Sequence, residues 1–305
     1  MIKNTILKII LDGPKTMEEI YDAVTKIEEV QKHSIRARVY ELLRDHRIKK
    51  LCRAIYASSN CLLVHGSGRG LEGIGDKSVD FICDDHPYDI KASNNGGSRH
   101  FATYNCFRYE QEDFDQMARV LKPGCFMVQF LPTENGDNWK YRHEIFEMAE
   151  KAGFEFYAKV PWKKGDFISN CGRTSKNTED VVIFTLGKAR NLRPDAKKDK
   201  AEPQVKHYMS GATKMLPTVW DFAKPKEMIH QAEKPVELLE AILECFTLPD
   251  ETVIDQFAGS GVTGEACINM DRKCILYEID ESFVDKIQER IKLAESRKLG
   301  SVATN

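Results

Sequence analysis

The sequence lacks closely spaced cysteines. Its nine cysteines are scattered over 305 residues without a single Cys-x-x-Cys pair, and zinc knuckles and redox dithiols both depend on such spacing. Scattered single thiols are typical of small buried apolar residues in a reduced protein. We therefore expect neither a disulfide framework nor a metal site.

The sequence also lacks an apolar run of the roughly 20 residues that a bilayer span needs. The first residues, MIKNTILKIILD, are too short and too charged for a secretory signal, and no small-residue cleavage site follows them. With 42% hydrophobic and 30% charged residues, the composition is that of a globular domain. We predict a cytoplasmic protein without a membrane partner.

Net charge is nearly absent, since the formal value is −2, so the chain as a whole is not a polycation. Basic residues are nevertheless concentrated locally. Residues 32–53 carry eight Lys or Arg against two acidic residues, and residues 188–206 carry seven against three. Such stripes suit a surface that meets phosphates, although an isolated stripe is more often only a solvated face.

Residues 1–57 form a first predicted unit. Apolar residues from Ile6 to Leu11 indicate a helix, Thr16 with Glu19 predicts a capping box for a second helix, and Ser34 is the predicted N-cap of a third. Two strand-like pieces, IKKLC and AIYAS, follow. The pattern resembles a winged helix-turn-helix, which implies DNA contacts from the third helix and the wing. The residues implied are Arg36, Arg38, Arg44, Lys49, Lys50 and Arg53. The alternative is a small helical domain for protein contact, such as homodimer formation.

Residues 58–297 form a second predicted domain. Apolar strands alternate with helical patterns, which indicates an α/β fold with a mostly parallel sheet. Residues 188–228 are basic and poorly periodic, and we interpret them as an insertion that is a candidate for target recognition. Residues 298–305 are expected to be a flexible tail.

A glycine-rich turn follows the predicted strand TVI. Residues 255–261 read DQFAGSG, and Gly259, Gly261 and Gly264 match GxGxxG, a weak motif that fits NAD as well as S-adenosylmethionine. Glu278 ends the next strand, where a carboxylate can accept both ribose hydroxyls. Asp255 before the glycines, and the short chain remaining after the loop, favour the methyl donor.

A polar motif, Asp84-Asp85-His86-Pro87-Tyr88, follows the apolar strand VDFIC. Open α/β sheets place their sites at such carboxyl strand ends. Asp85-His86-Pro87-Tyr88 resembles the Asp-Pro-Pro-Tyr motif of DNA amino-methyltransferases, and residues 255–261 and the segment HQAEKP at 230–235 resemble their cofactor elements. The order of these motifs is similar to the circularly permuted β-class of that family.

The resemblance implies a Rossmann-like, circularly permuted methyltransferase fold that binds S-adenosylmethionine and double-stranded DNA. It implies base flipping, with Tyr88 stacked on the extruded base and with the Asp85 carboxylate and the His86 carbonyl accepting bonds from its amine. The implied cofactor residues are Asp255, Phe257, Gly259, Gly261, Glu278, Lys234 and Ser67, with Asp255 and Lys234 at the methionine end.

Two positions depart from the family pattern. His86 stands where the family has its first proline, so the backbone carbonyl is kept but the rigidity is lost. Ser67 stands where the family usually has an acidic residue for the adenine of the cofactor. The stretch 93–110, with Tyr104, Phe107 and Arg108, is interpreted either as a loop that closes over the base or as a surface loop.

The sequence thus predicts a site-specific DNA adenine-N6 methyltransferase of the restriction-modification type, because aspartate at the first motif position favours adenine. Three alternatives stay open: a DNA cytosine-N4 methyltransferase, a transcription regulator with a degenerate ligand domain, and an RNA or small-molecule methyltransferase.

Overall fold

The structure is a computed structural model that describes residues 2–11, 15–44, 49–50, 55–57, 60–88, 106–165, 177–193, 211–230 and 232–302. Three hydrophobic clusters organise these residues. One belongs to the first 43 residues alone, and the other two cover the two faces of a large sheet.

Three helices begin the chain: α1 (Ile2–Leu11), α2 (Met17–Thr25) and α3 (Lys32–Arg44). The predicted capping box of α2 is confirmed, since the Glu19 amide donates to the Thr16 hydroxyl at 3.2 Å and the Glu19 carboxylate accepts from the Thr16 amide at 2.6 Å. The predicted N-cap of α3 at Ser34 is wrong. The carbonyl of Gln31 already accepts the amides of Ser34 and Ile35, so the helical turn starts before Ser34.

A small antiparallel sheet accompanies these helices. It consists of β1 (Lys15–Thr16), β2 (Lys49–Lys50) and β3 (Ile55–Ala57) in the order β1-β3-β2. The two predicted strand regions contain β2 and β3, whereas two residues are too few for β1 to show an alternating pattern in the sequence. Ile6, Ile20 and Ile35, one from each helix, are fully buried at the centre of the cluster.

Eight strands form the large sheet in the order β4-β11-β10-β5-β6-β8-β7-β9. In chain order they are β4 (Cys61–His65), β5 (Val79–Asp84), β6 (Leu121–Pro132), β7 (Phe154–Lys163), β8 (Thr178–Leu186), β9 (Trp220–Asp221), β10 (Thr252–Asp255) and β11 (Lys273–Glu278). Five helices accompany them: α4 (Gln111–Val120), α5 (Trp139–Lys151), α6 (Val236–Phe246), α7 (Val262–Asn269) and α8 (Glu281–Val302).

The sheet is mostly parallel, as predicted. The strands from β4 to β6 in sheet order pair in parallel, and β8 is antiparallel to both β6 and β7. The last two strands of the chain, β10 and β11, lie inside the sheet, which is the predicted permuted order. Because β10 and β5 pair in parallel, with Ile254 opposite Ile82, their carboxyl ends meet at one edge.

The helices cover both faces of the sheet, because successive strand residues point to opposite sides. Along β5, Phe81 and Cys83 belong to one cluster and Ile82 between them to the other. The first cluster includes apolar residues of α6, α7 and α8, and the second includes those of α4 and α5.

Strand β6 begins earlier than predicted. The sequence RVLKPG predicts a turn that closes α4, yet β6 starts at Leu121, directly after Val120. Pro123 is tolerated because the pairing with β5 jumps from Leu121 to Phe126. The proline, which has no amide hydrogen, therefore lies where the ladder is interrupted.

The described parts of the predicted insertion 188–228 pack on the sheet domain. Leu192 and Trp220 are buried, and β9 pairs with β7 at the sheet edge. Residues 194–210 lie outside the described residues. Helix α8 continues to Val302, so residues 298–302 of the predicted flexible tail 298–305 are helical, and their flexibility stays a prediction. In the described part of the chain, no helix is long and apolar enough to cross a membrane.

Candidate functional site

The glycine loop at residues 255–261 joins β10 to α7. Gly259 and Gly261 both have positive φ, of 53° and 75°, which favours glycine. A Cβ on Gly259 would meet nothing closer than 3.8 Å, whereas one on Gly261 would lie 2.7 Å from Ile287. Gly261 is therefore needed for the packing of α8, whereas Gly259 is partly exposed and bears no side chain, so a ligand can approach the loop backbone there.

Asp255 stabilises the conformation of this loop through hydrogen bonds. Its carboxylate accepts bonds from the Phe257 amide at 2.9 Å and the Thr263 hydroxyl at 2.6 Å. Burial raises the pKa of Asp255 to about 7, against the opposing effect of these two bonds. The predicted contact of Asp255 with the methionine end of a cofactor stays a prediction, and the structure adds a bracing role that the motif alone does not reveal.

Glu278 lies at the carboxyl end of β11, beside the loop. Its carboxylate accepts the Gly259 amide at 2.7 Å and the Asp280 amide at 2.8 Å, and the residue is 8% exposed. Ser67, after β4, is exposed and accepts the Arg69 amide at 3.4 Å. The loop after β4 approaches the glycine loop through Gln256, whose side chain donates to the Gly68 carbonyl at 2.7 Å.

These groups fit a nucleoside-bearing cofactor. The backbone at Gly259 is open, and each Glu278 oxygen that binds an amide keeps a second lone pair for a ribose hydroxyl. Phe257 is half-buried at the same loop and supplies an apolar surface. The residues predicted to bind a cofactor around the loop, Phe257, Gly259, Gly261 and Glu278, are thus brought together.

Asp84 connects the catalytic motif to the glycine loop. It is fully buried and accepts the Gln256 amide at 3.0 Å and the Gln129 side chain at 3.3 Å. Burial and the nearby Asp255 carboxylate raise its pKa well above the usual range. Asp84 therefore fixes the ends of β5 and β10 side by side, which sets Asp85 next to the cofactor elements.

The buried Lys234 ammonium donates a hydrogen bond to the Asp85 carboxylate. The lysine also lies 3.4 Å from Glu179, and Glu179 is bonded by Lys164. Burial lowers the pKa of Lys234, but the carboxylates of Asp85 and Glu179 outweigh it and raise the net value. Sequence analysis predicts Lys234 at the cofactor, and in the structure it bonds the Asp85 carboxylate. Glu179 is a neighbour of this pair that the sequence analysis missed.

His86 is 1% exposed and is enclosed by aromatic rings. Its Nε2 lies 2.8 Å from the Tyr141 hydroxyl, which accepts the Tyr109 amide at 2.9 Å. Burial lowers the pKa of His86 to about 3, so the ring is neutral. The Tyr141 hydroxyl thus connects the His86 ring to the backbone at Tyr109. Tyr141 was missed because it lies 55 residues away in the sequence.

An aromatic group flanks the catalytic motif. The backbones of Tyr88 and Phe107 pair in an isolated parallel β-bridge, and the Pro87 carbonyl accepts the Phe107 amide at 3.0 Å. The Phe107 ring lies 5.5 Å from that of Phe257 and carries the Arg69 guanidinium at 4.6 Å. Phe107 is therefore at the site. Arg108 lies over Tyr141 and pairs with Glu144, and Tyr104 lies outside the described residues.

The predicted DNA-contacting arginines of α3 are exposed. Arg38 bonds Glu41, and Arg36 lies 5.8 Å from the Tyr40 ring. Arg44 is at the end of the helix. Lys49 and Lys50 form β2, and Arg53 lies outside the described residues.

A family model for N6/N4 DNA methylases matches residues 79–289. Type II methyltransferase M.MjaI of Methanocaldococcus jannaschii is 27% identical over 60% of this chain and 67% of its own length. Type II methyltransferase M.HpaI of Haemophilus parainfluenzae is 23% identical over 75% and 73%.

Two solved structures share the fold. The M1.HpyAVI–SAM complex matches with a TM-score of 0.53 and 20% identity over 76% of this chain and 98% of that one. PvuII DNA methyltransferase, which is cytosine-N4-specific, matches with a TM-score of 0.55 and 17% identity over 79% and 93%.

Proposed function

Since the chain belongs to the N6/N4 DNA methylase family, we propose that it transfers a methyl group from S-adenosylmethionine to the N6 amine of adenine in DNA. The observation that carries this proposal is the pairing of β5 with β10. It puts the Asp85 motif beside the Gly259 loop at the switch point of the sheet, where such folds bind ligands.

S-adenosylmethionine supplies an activated methyl group on a positively charged sulfur. Gly259 and Phe257 would hold the adenosyl part against the loop, and Glu278 would accept the ribose hydroxyls. Ser67, exposed at the neighbouring strand end, would bond the adenine. The burial of Asp84, Asp255 and Gln256 beneath these groups supports a site whose shape is fixed before the cofactor arrives.

For the target base, Asp85 and the His86 carbonyl would accept the two amine hydrogens and so orient the nitrogen lone pair toward the methyl group. Tyr88 would stack on the base, and its ring, 5.3 Å from that of His86, supports an aromatic wall at this position. Catalysis then rests on positioning, since no covalent intermediate with the protein is needed.

Residues 1–57 are proposed to be a winged helix-turn-helix that adds phosphate contacts. The support is three helices with their own core, a three-stranded antiparallel sheet, and exposed arginines on α3. The insertion 188–228 is proposed to reach the bases around the target.

Identification of the product tests the proposed reaction. Unmethylated genomic DNA is incubated with the protein and with labelled S-adenosylmethionine, digested and resolved into nucleosides. We expect N6-methyladenine. Asp85→Ala should abolish transfer while cofactor affinity by calorimetry stays near wild type, because Asp85 contacts the target amine. Asp285→Ala, which removes an exposed carboxylate of α8, is the matched control.

Each other product has a clear meaning. N4-methylcytosine would replace the adenine assignment with a cytosine-N4 enzyme. Binding of DNA without any transfer would favour a regulator, and transfer only to RNA or to a small molecule would exclude DNA as the substrate. Full activity of Asp85→Ala would remove the catalytic motif from the mechanism.

A further inference from the structure

Four charged side chains of alternating sign contact one another in series and end at the proposed catalytic motif. We call them the charge chain: Lys164, Glu179, Lys234 and Asp85. They come from four parts of the fold, since Lys164 follows β7, Glu179 is in β8, Lys234 precedes α6 and Asp85 follows β5. Their side chains are 18%, 14%, 7% and 25% exposed. Lys234 is therefore buried, and the other three members, Asp85 included, are mostly shielded from solvent.

Lys234 is held from several sides. Besides its bond to Asp85, its ammonium is 3.4 Å from Glu179 and donates to the Ala232 carbonyl at 3.3 Å. The rings of Phe130 and Trp162 lie 5.0 and 5.8 Å from it. A lysine with partners in each of these directions cannot easily swing away, so the ammonium is a fixed positive charge beside Asp85.

The lysine occupies only one oxygen of Asp85. It bonds Oδ2, and no residue that the structure describes donates a hydrogen bond to Oδ1. A carboxylate with one oxygen fixed and the other available is the acceptor that an exocyclic amine needs. A protonated carboxyl would instead offer a hydrogen of its own on one oxygen and would lose part of this function.

We propose that Lys234, held by Glu179, is a positioning residue that keeps Asp85 ionised and directs its free oxygen to the target amine. The inference deepens the proposed function and rests on it, since it takes Asp85 as the acceptor of the amine. It replaces the predicted contact of Lys234 with the methionine end of the cofactor.

The physical reason is the burial around Asp85. Burial raises the pKa of this carboxyl, and the positive charge of Lys234 opposes the rise. Other charged groups also face Asp85 from the packed elements: Asp84, Lys164, Glu179, Lys224, His230 and Asp255. All of them remain when Lys234 alone is changed, so the effect of a substitution there reports on the lysine.

The test is the pH dependence of single-turnover methyl transfer at saturating cofactor. The rate of transfer falls on the acidic side of its pH profile where Asp85 becomes protonated. Lys234→Gln should move this acidic limb to higher pH by about one to three pH units, the effect of losing one adjacent opposite charge. At a pH below the acidic limbs of both proteins, Lys234→Gln should be slower than wild type by about tenfold for each pH unit by which its limb has moved. Near pH 9 its rate should recover toward the wild-type plateau. Lys234→Arg should restore the limb to within about half a pH unit of wild type.

Lys292→Gln is the matched control, since Lys292 is an exposed lysine of α8 and the acidic limb of its pH–rate profile should not move. An unmoved limb in Lys234→Gln with weakened S-adenosylmethionine binding would overturn the proposal in favour of the cofactor role. A loss of rate at every pH without recovery would also overturn it.

A second measurement covers the case in which Lys234→Gln does not fold. In wild-type protein labelled with ¹³C at the aspartate carboxyl carbons, the Asp85 signal, assigned through Asp85→Asn, should report a carboxylate at pH 7.5. A neutral carboxyl there overturns the inference. If the wild type methylates no base in DNA, the proposed function fails instead, which separates the two.

Discussion

His86 stands where the family has a proline, and its backbone carbonyl must be restrained in another way. The neutral ring packs 4.1 Å from Tyr109, and its Nε2 shares a hydrogen bond with the Tyr141 hydroxyl. That hydroxyl also accepts the Tyr109 amide, so one oxygen ties the motif to the chain that follows Phe107. A side-chain hydrogen bond and ring packing here restrain the backbone as a pyrrolidine ring does elsewhere in the family.

Removing that oxygen should loosen the motif. Tyr141→Phe leaves His86 Nε2 and the Tyr109 amide buried without a partner, so we expect the free energy of unfolding to fall by about 1–3 kcal/mol in urea titrations. Turnover should also fall. In a His86→Pro background the same substitution should leave turnover unchanged, because proline restrains the carbonyl itself.

Tyr40→Phe is the control, since Tyr40 is 50% exposed and phenylalanine keeps a ring beside Arg36. Wild-type stability in Tyr141→Phe, or an equal loss of turnover in the His86→Pro background, would contradict this account of His86.

At this scale the sequence predicts residues whose role follows from their place at a strand end, such as Asp85, Tyr88 and Glu278. It does not predict partners that are distant in the chain. Lys234 bonds Asp85 across 149 positions, and Gln256 bonds Asp84 across 172. Such contacts are set by the order of strands in the sheet, and periodicity within one segment carries no information about them.

Among the elements, the connection between β10 and α7 has two glycines with separate roles. A Cβ on Gly261 would clash with Ile287 of α8, whereas a Cβ on Gly259 would make only ordinary contacts, at 3.8 Å or more, with His230 and the Phe257 carbonyl. The motif GxGxxG cannot distinguish a glycine kept for helix packing from one kept for a ligand, because the difference lies in what a Cβ would meet.

A pair of alanine substitutions should separate the two roles. Each should lower stability by about 1–2 kcal/mol because alanine at positive φ is strained, and Gly261→Ala should lose about 1–3 kcal/mol more through the clash with Ile287. Gly259→Ala should instead weaken S-adenosylmethionine binding in calorimetry, since its Cβ would stand between the loop backbone and the cofactor.

Gly136→Ala is the control, because a Cβ there meets nothing within 4 Å. Unchanged cofactor affinity in Gly259→Ala, or equal stability losses in both variants, would count against the division.

The strands and helices of the sheet domain were largely predictable, since runs such as CFMVQFLP and VELLEAIL carry strong patterns. Strand β9 was not. Two residues, Trp220 and Asp221, are too few to show periodicity, and only their pairing with Trp162 and Lys163 of β7 makes them a strand. The early start of β6 was missed for a similar reason, because Pro123 is a turn signal unless the ladder happens to be interrupted there.

For the whole molecule, the unit of residues 1–57 should contribute to the capture of DNA. Replacing Arg36, Arg38 and Arg44 together by Gln in the full-length protein should weaken duplex binding and flatten its salt dependence. Each lost phosphate contact reduces the slope of log affinity against log salt by about 0.9. Lys8→Gln, an exposed charge on α1, is the control, and affinity measured at several salt concentrations is the test.

An unchanged slope together with a changed molecular mass would assign this unit to homodimer formation instead. Cofactor affinity should be the same in either case, because the glycine loop and Glu278 belong to the sheet domain.

The position of β10 and β11 in the sheet also governs when the protein becomes complete during synthesis. These strands are made last among the eight yet lie inside the sheet, between β4 and β5. Until they emerge from the ribosome, β5 has an unpaired edge and the Asp85 motif has no glycine loop beside it. A sheet whose neighbouring strands are far apart in the sequence folds slowly, because a long loop of chain must close before the strands can pair. A nascent chain is therefore inactive until these two strands have been translated, and exposed strand edges make it a client for chaperones in that interval.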